Sequence, residues 1–89
     1  MNQQDLLNKE ITKELAKALK TARLQAGYKT ADEFAKKFNI SPSTYVKHEA
    51  GTRNLTISCL IQYCTWLNLE LDIFVKNVYQ KAKDNIKII

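Results

Sequence analysis

Apolar positions recur at three-to-four spacing along almost the whole chain, and the breaks in that rhythm divide it into five helices. A first helix is expected from about Gln4 to Ala26. Leu7, Ile11, Leu15, Leu19 and Ala22 form its apolar stripe, Lys dominates its polar face, and Gly27 suits the left-handed position that ends a helix. Phe34, Ala35 and Phe38 mark a second helix over Ala31 to Phe38, with Thr30 as an N-cap whose hydroxyl can take an orphan amide proton. A third spans Pro42 to Ala50, with Ser41 as N-cap, Pro42 at the first helical position where a missing N–H costs nothing, and Gly51 past its end. Thr56 caps a fourth, Ile57 to Leu67, whose core side is Leu60, Tyr63, Cys64 and Leu67, and Asn68 stops it. The fifth begins near Leu71 with Asp72 in its first turn, favourable to the helix dipole. Ile73, Phe74, Val75, Val78, Tyr79, Ala82 and Ile86 carry an apolar face towards Ile89.

Only Asn39, Ile40 and Ser41 separate the second and third helices, a turn too tight for ordinary helix pairs. Asn tolerates positive φ for the bend, and Ile40 can plug the inner corner. The helices must cross steeply, and Ala35 is small enough to let them approach closely at the crossing. That is the pattern of a DNA-reading unit.

Composition bounds what such a unit can be. Eighty-nine residues suit one domain spanning 1–89, large enough for a modest core and small enough to benefit from oligomerisation. Two Gly, one Pro and clear helical periodicity point to an all-α chain with short connections. The net charge of +5 suits a polyanionic partner. It is uneven: residues 1–53 hold ten Lys and Arg against six Asp and Glu, whereas residues 54–89 hold four against three. No apolar run approaches the ~18 residues of a membrane span, and MNQQDLLNKE lacks the layout of a signal peptide, so a cytoplasmic address without membrane partners is expected. Cys59 and Cys64, five residues apart on one helix, face different sides and read as reduced core thiols.

The stretch from about Lys17 to Val75 resembles the lambda-repressor-like, or Xre-type, helix-turn-helix family. The resemblance rests on Arg23 near the end of the first helix, Ala35 inside the second, Ile40 at the turn, SPSTYVKHEAGTR through the third helix and its exit, and LNLELDIF closing the domain. It implies a five-helix lambda-repressor-like bundle over about 17–75, here with an extended first helix and a C-terminal helical extension over 76–89. It also implies that Pro42 to Ala50 is the recognition helix in the major groove of double-stranded DNA, working as a homodimer on a near-palindromic site.

Helix geometry puts Tyr45, His48 and Glu49 on one face of that third helix and Ser43, Thr44 and Lys47 on another. The second face is the outward one, making these three the candidates for base contact, with Lys47 able to reach guanine O6 or N7 or else a phosphate. By resemblance, Arg23 and Glu49 form the structural ion pair that orients the reading helix and leaves Arg23 partly available to phosphate. Thr52, Arg53 and Asn54 occupy the loop that touches the DNA backbone in the family, and Lys29 and Thr30 lie at the amide-bearing start of the second helix. Against the family's pattern, Ala31 stands where many members carry a phosphate-holding Gln, and one extra residue precedes the second helix. Pro42 replaces a polar base reader, offering apolar contact alone, and His48 replaces an aliphatic core residue, where a packed, hydrogen-bonded imidazole is expected.

With one His and no Cys, Ser or carboxylate at a recognisable spacing to it, no catalytic, metal or cofactor site is expected. The leading expectation is a sequence-specific transcriptional regulator of repressor type. The alternative is an antitoxin or other interaction module that binds a toxin protein and autoregulates its operon. For dimerisation, Trp66 falls off the core stripe of its helix and the tail keeps an apolar face, so Trp66, Phe74, Val78 and Tyr79 are expected to bury a two-fold interface or to pack the terminal extensions together. On the dimer reading, truncation after Val75 leaves a folded monomer.

Overall fold

A computed structural model of the chain describes residues 2–86, and the expected continuation of the last apolar face to Ile89 falls outside these. Among the described residues there are five helices: α1 (Gln3–Gln25), α2 (Ala31–Lys37), α3 (Pro42–Ala50), α4 (Ile57–Trp66) and α5 (Leu71–Ile86). The expected boundaries hold to within a residue. Phe38 and Leu67 are C-caps rather than last helical residues, and α1 starts one residue early because the Asn2 side chain accepts the Asp5 amide.

Four connections share one solution. Gly27, Asn39, Gly51 and Asn68 all adopt positive φ, and the next amide in each case reaches back five residues to close the helix: Tyr28 to Arg23, Ile40 to Ala35, Thr52 to Lys47 and Leu69 to Cys64, at 2.8 to 3.1 Å. This is the Schellman pattern, in which one left-handed residue turns the chain while satisfying orphan carbonyls. Repeating it produces a compact stack of helices with minimal loops. At Gly51 it is the left-handed φ of 74° that favours glycine, since a Cβ there would meet the Ala16 side chain at 3.5 Å, an ordinary contact.

The core is built around Phe34, fully buried and ringed by Tyr28, Phe38, Tyr45, Tyr63 and Trp66 with centroid distances of 4.8 to 6.4 Å. Leu19, Ala22, Ala35 and Leu67 complete it, and α2 and α3 pack on each other and on α1. Trp66 packs within this cluster, its indole stacked on Phe38 with centroids 4.7 Å apart and planes 13° apart, and it stays half-buried. Phe74 packs against the same cluster.

The described part of the tail packs within the chain. Helix α5 lies along α1, and Val78 is only 6 % exposed within a single chain, with Ala82 fully buried beside it. Val78 therefore has no surface to give a second copy. Of the four residues expected at a two-fold contact, Tyr79 is exposed, at 43 %, with the Lys83 ammonium 4.5 Å from its ring centroid. A polar clasp fixes the end of the tail: the buried Glu14 carboxylate on α1 accepts from Asn85 Nδ2 at 2.7 Å and from Lys17 Nζ at 3.3 Å.

Candidate nucleic-acid interface

The third helix is held from behind by two polar links. Arg23 Nε and Nη2 donate to the two Glu49 oxygens at 2.7 and 3.1 Å, while Nη1 donates to the Tyr28 carbonyl at 2.7 Å. The guanidinium ties the end of α1 both to α3 and to the loop entering α2. At 4 % exposure Arg23 has no free edge for a phosphate, which corrects the expectation that it stays partly available. The bidentate bond to Glu49 raises the already high proton affinity of the Arg23 guanidinium. The Tyr45 hydroxyl beside this pair is buried without a hydrogen-bond partner, and desolvation followed by the Glu49 carboxylate raises its pKa.

The second link is His48 Nδ1 to the Tyr63 hydroxyl, 2.8 Å, joining the last turn of α3 to α4. Burial, and then the positive charge of Arg53, lower the His48 pKa below its ordinary value, while burial pushes Tyr63 up to about 12. A neutral imidazole can accept the phenol proton at Nδ1. His48 is thus a packed histidine, and Cys64 is likewise a core thiol whose pKa burial raises, with Cys59 partly covered and both free.

With Tyr45, His48 and Glu49 facing inward, the opposite side of α3 is bare. Pro42, Ser43 and Lys47 are exposed, and Thr44 is half-buried at the edge of the face. The sequence reading missed Val46, an apolar side chain left 46 % exposed, and Ala50. Ser43, Val46, Lys47 and Ala50 stand at i, i+3, i+4 and i+7, a full helical stripe whose spacing alone could have identified them. The start of α3 also differs in detail. Ser41 occupies the N-cap position without capping, its hydroxyl lying 3.2 Å from that of Ser43. The amides of the first turn are therefore left without a side-chain acceptor.

Around this stripe lie the other candidate residues. Lys29 and Thr30 are exposed at the start of α2, although the Thr30 hydroxyl already accepts the Glu33 amide at 3.0 Å. Thr52, Arg53 and Asn54 are exposed in the loop leaving α3, and the Thr52 hydroxyl points back to the Lys47 carbonyl at 3.4 Å. Among the described residues no group of His, Cys, Asp and Glu is placed to hold a metal ion, and no helix is long and apolar enough to cross a membrane.

No curated protein and no solved structure matches the chain. A family model described as Helix-turn-helix matches residues 19–74, more than half of the chain, from the end of α1 through α2 and α3 into the start of α5. The four tight helix ends, the packed α2–α3 pair and the bare outer face of α3 are the parts of the molecule that this match covers. The chain belongs to the lambda-repressor-like, Xre-type helix-turn-helix family of DNA-binding regulators.

Proposed function

We propose that the protein is a repressor-type regulator that lays α3 in the major groove and binds a near-palindromic operator as a two-fold dimer. The observation that carries this reading is the contrast between the two sides of α3. One side is locked by Arg23–Glu49 and His48–Tyr63, and the other presents Ser43, Val46, Lys47 and Ala50 on a rigid scaffold. Ser43, Thr44 and Lys47 supply hydrogen bonds to base edges, and Pro42 and Val46 supply apolar contact of the kind a thymine methyl accepts. Lys29 with Thr30 on one side, and Thr52, Arg53 and Asn54 on the other, hold phosphates and set the register. The exposed apolar residues Ile57 and Ile61 on α4, with Tyr79 on α5, are the surface we assign to the second copy.

Selection of bound sequences from a random duplex pool by the purified chain tests the proposal. Enrichment of a palindrome with half-sites about 34 Å apart is the expected result. Enrichment of a single half-site would remove the dimer, and no enrichment would remove sequence-specific repression.

A further inference from the structure

Helix α1 carries Lys9, Lys13, Lys17 and Lys20, spaced four, four and three residues apart. At ~100° per residue these fall within an arc of about 80°, one straight cationic stripe running about 16 Å along the helix. It differs from a generic solvated face in that, beyond the exposed Asp5 at its start, the acidic residues of α1 are the covered members of their ion pairs and the lysines the exposed ones. The Glu10 and Glu14 side chains are 16 % and 6 % exposed, whereas those of Lys13 and Lys17, their i+3 partners, stand 57 % and 62 % exposed. The Glu14 carboxylate is shared between Lys17 at 3.3 Å and Asn85 of α5 at 2.7 Å. Lys9 and Lys20 make no ion pair among the described residues.

The stripe borders the reading helix. Lys9, Lys13, Lys17 and Lys20 line one groove with Glu49, Ala50 and Gly51 at the end of α3. The carboxylate in that groove, Glu49, already has both oxygens engaged by Arg23, so it does not neutralise the lysines. Ala50 is also the last residue of the outer stripe of α3. The cationic row thus passes the end of the base-reading row near its own middle, where Gly51 faces Ala16 and the Thr12 carbonyl, and its length matches the axial rise of about five base pairs of duplex.

We infer that the α1 lysine stripe is a second DNA-binding surface, holding the phosphates of a backbone segment next to the one read by α3. The inference rests on the DNA-binding reading above. Its charge is the opposite of a duplex's, it is continuous with the reading face, and lysine's flexible stem suits phosphates, which need no fixed geometry. The stripe adds affinity without adding sequence preference, since phosphate contacts carry no base information.

The test compares the full chain with a Lys9→Gln, Lys13→Gln, Lys17→Gln, Lys20→Gln variant, and with Lys76→Gln as a control for loss of one exposed charge on α5. Binding to the selected duplex and to random-sequence duplex is measured from 50 to 200 mM salt. At ~0.9 per neutralised phosphate, the fourfold variant should lose about 3 to 4 units of log–log salt slope on both duplexes, and Lys9→Gln with Lys20→Gln about half of that. The ratio of the two affinities should be preserved and the control should match wild type. If the fourfold variant binds both duplexes as wild type does, with the same slope, the stripe is not a DNA contact although the DNA-binding reading stands. If, in addition, wild type binds polyglutamate and the variant does not, the stripe serves an acidic protein and the inference is equally overturned. If wild type binds no duplex, the DNA-binding reading fails and takes the inference with it.

Discussion

His48 Nδ1 lies 2.8 Å from the Tyr63 hydroxyl, a buried contact that couples the end of the reading helix to α4. It has a pH dependence. Burial and Arg53 hold the His48 pKa below its ordinary 6.5, so the unfolded chain takes up the proton first as pH falls. Stability is fully present above pH ~6.5 and declines below it, through the interval between the unfolded and folded pKa values. Melting temperatures of wild type and His48→Gln between pH 8 and 5.5 should converge as pH falls. A constant difference across that range would mean that His48 does not titrate on unfolding.

The Arg23–Glu49 pair sets a second expectation. Both side chains are buried, and Glu49→Ala leaves the guanidinium desolvated with only the Tyr28 carbonyl, so stability should drop by about 3 to 5 kcal/mol. Asp32→Ala, which breaks the exposed Lys36–Asp32 pair on α2, should cost far less. The buried Tyr45 hydroxyl has no partner, so Tyr45→Phe should leave stability unchanged or raise it. A loss above ~1 kcal/mol in chemical denaturation would mean that the hydroxyl bonds Glu49 in solution.

The helices were legible because each end carries its own signal: Thr30 and Thr56 cap, and Gly27, Gly51 and Asn68 reverse the chain. The inward face of α3 was legible for the same local reason. What periodicity could not supply was the pairing of elements. Trp66 lies off its own helix's stripe because its partner, Phe38, belongs to α2, and Val78 looked spare because nothing local says that α5 lies along α1. Glu14 is a charged residue and was passed over as a core candidate, yet it is buried where Asn85, far along the chain, reaches it. Val46 was missed although helical spacing puts it beside Ser43 and Lys47, because apolarity by itself does not say that a side chain is exposed.

Contacts to bases and to phosphates should separate on mutation. Lys47→Ala or Thr44→Ala should weaken binding to the selected site by ~1 to 3 kcal/mol and to random duplex much less, whereas Arg53→Ala should weaken both alike and lower the salt slope by about 1. Val46→Ala should act like Lys47→Ala if it touches a base. Equal losses on both duplexes for all of these, by fluorescence anisotropy, would sink the division into readers and positioners.

The place of α5 gives the last prediction. Val78 is buried against α1, so Val78→Ala should destabilise the fold by about 2 kcal/mol through lost burial and the space left behind, whatever the protein concentration. Truncation after Val75 removes Val78, Ala82 and Asn85 together, uncovering α1 and freeing the Glu14 carboxylate, and should abolish cooperative melting instead of yielding a folded monomer. Exposed apolar residues behave differently. Ile57→Ser with Ile61→Ser, or Tyr79→Ser, should leave the fold of the monomer intact while raising the concentration at which sedimentation detects dimer, and wild-type melting should rise with protein concentration. If instead Val78→Ala dissociates a dimer without lowering the melting temperature of the monomer, Val78 faces a second copy and the packing of α5 on α1 is wrong.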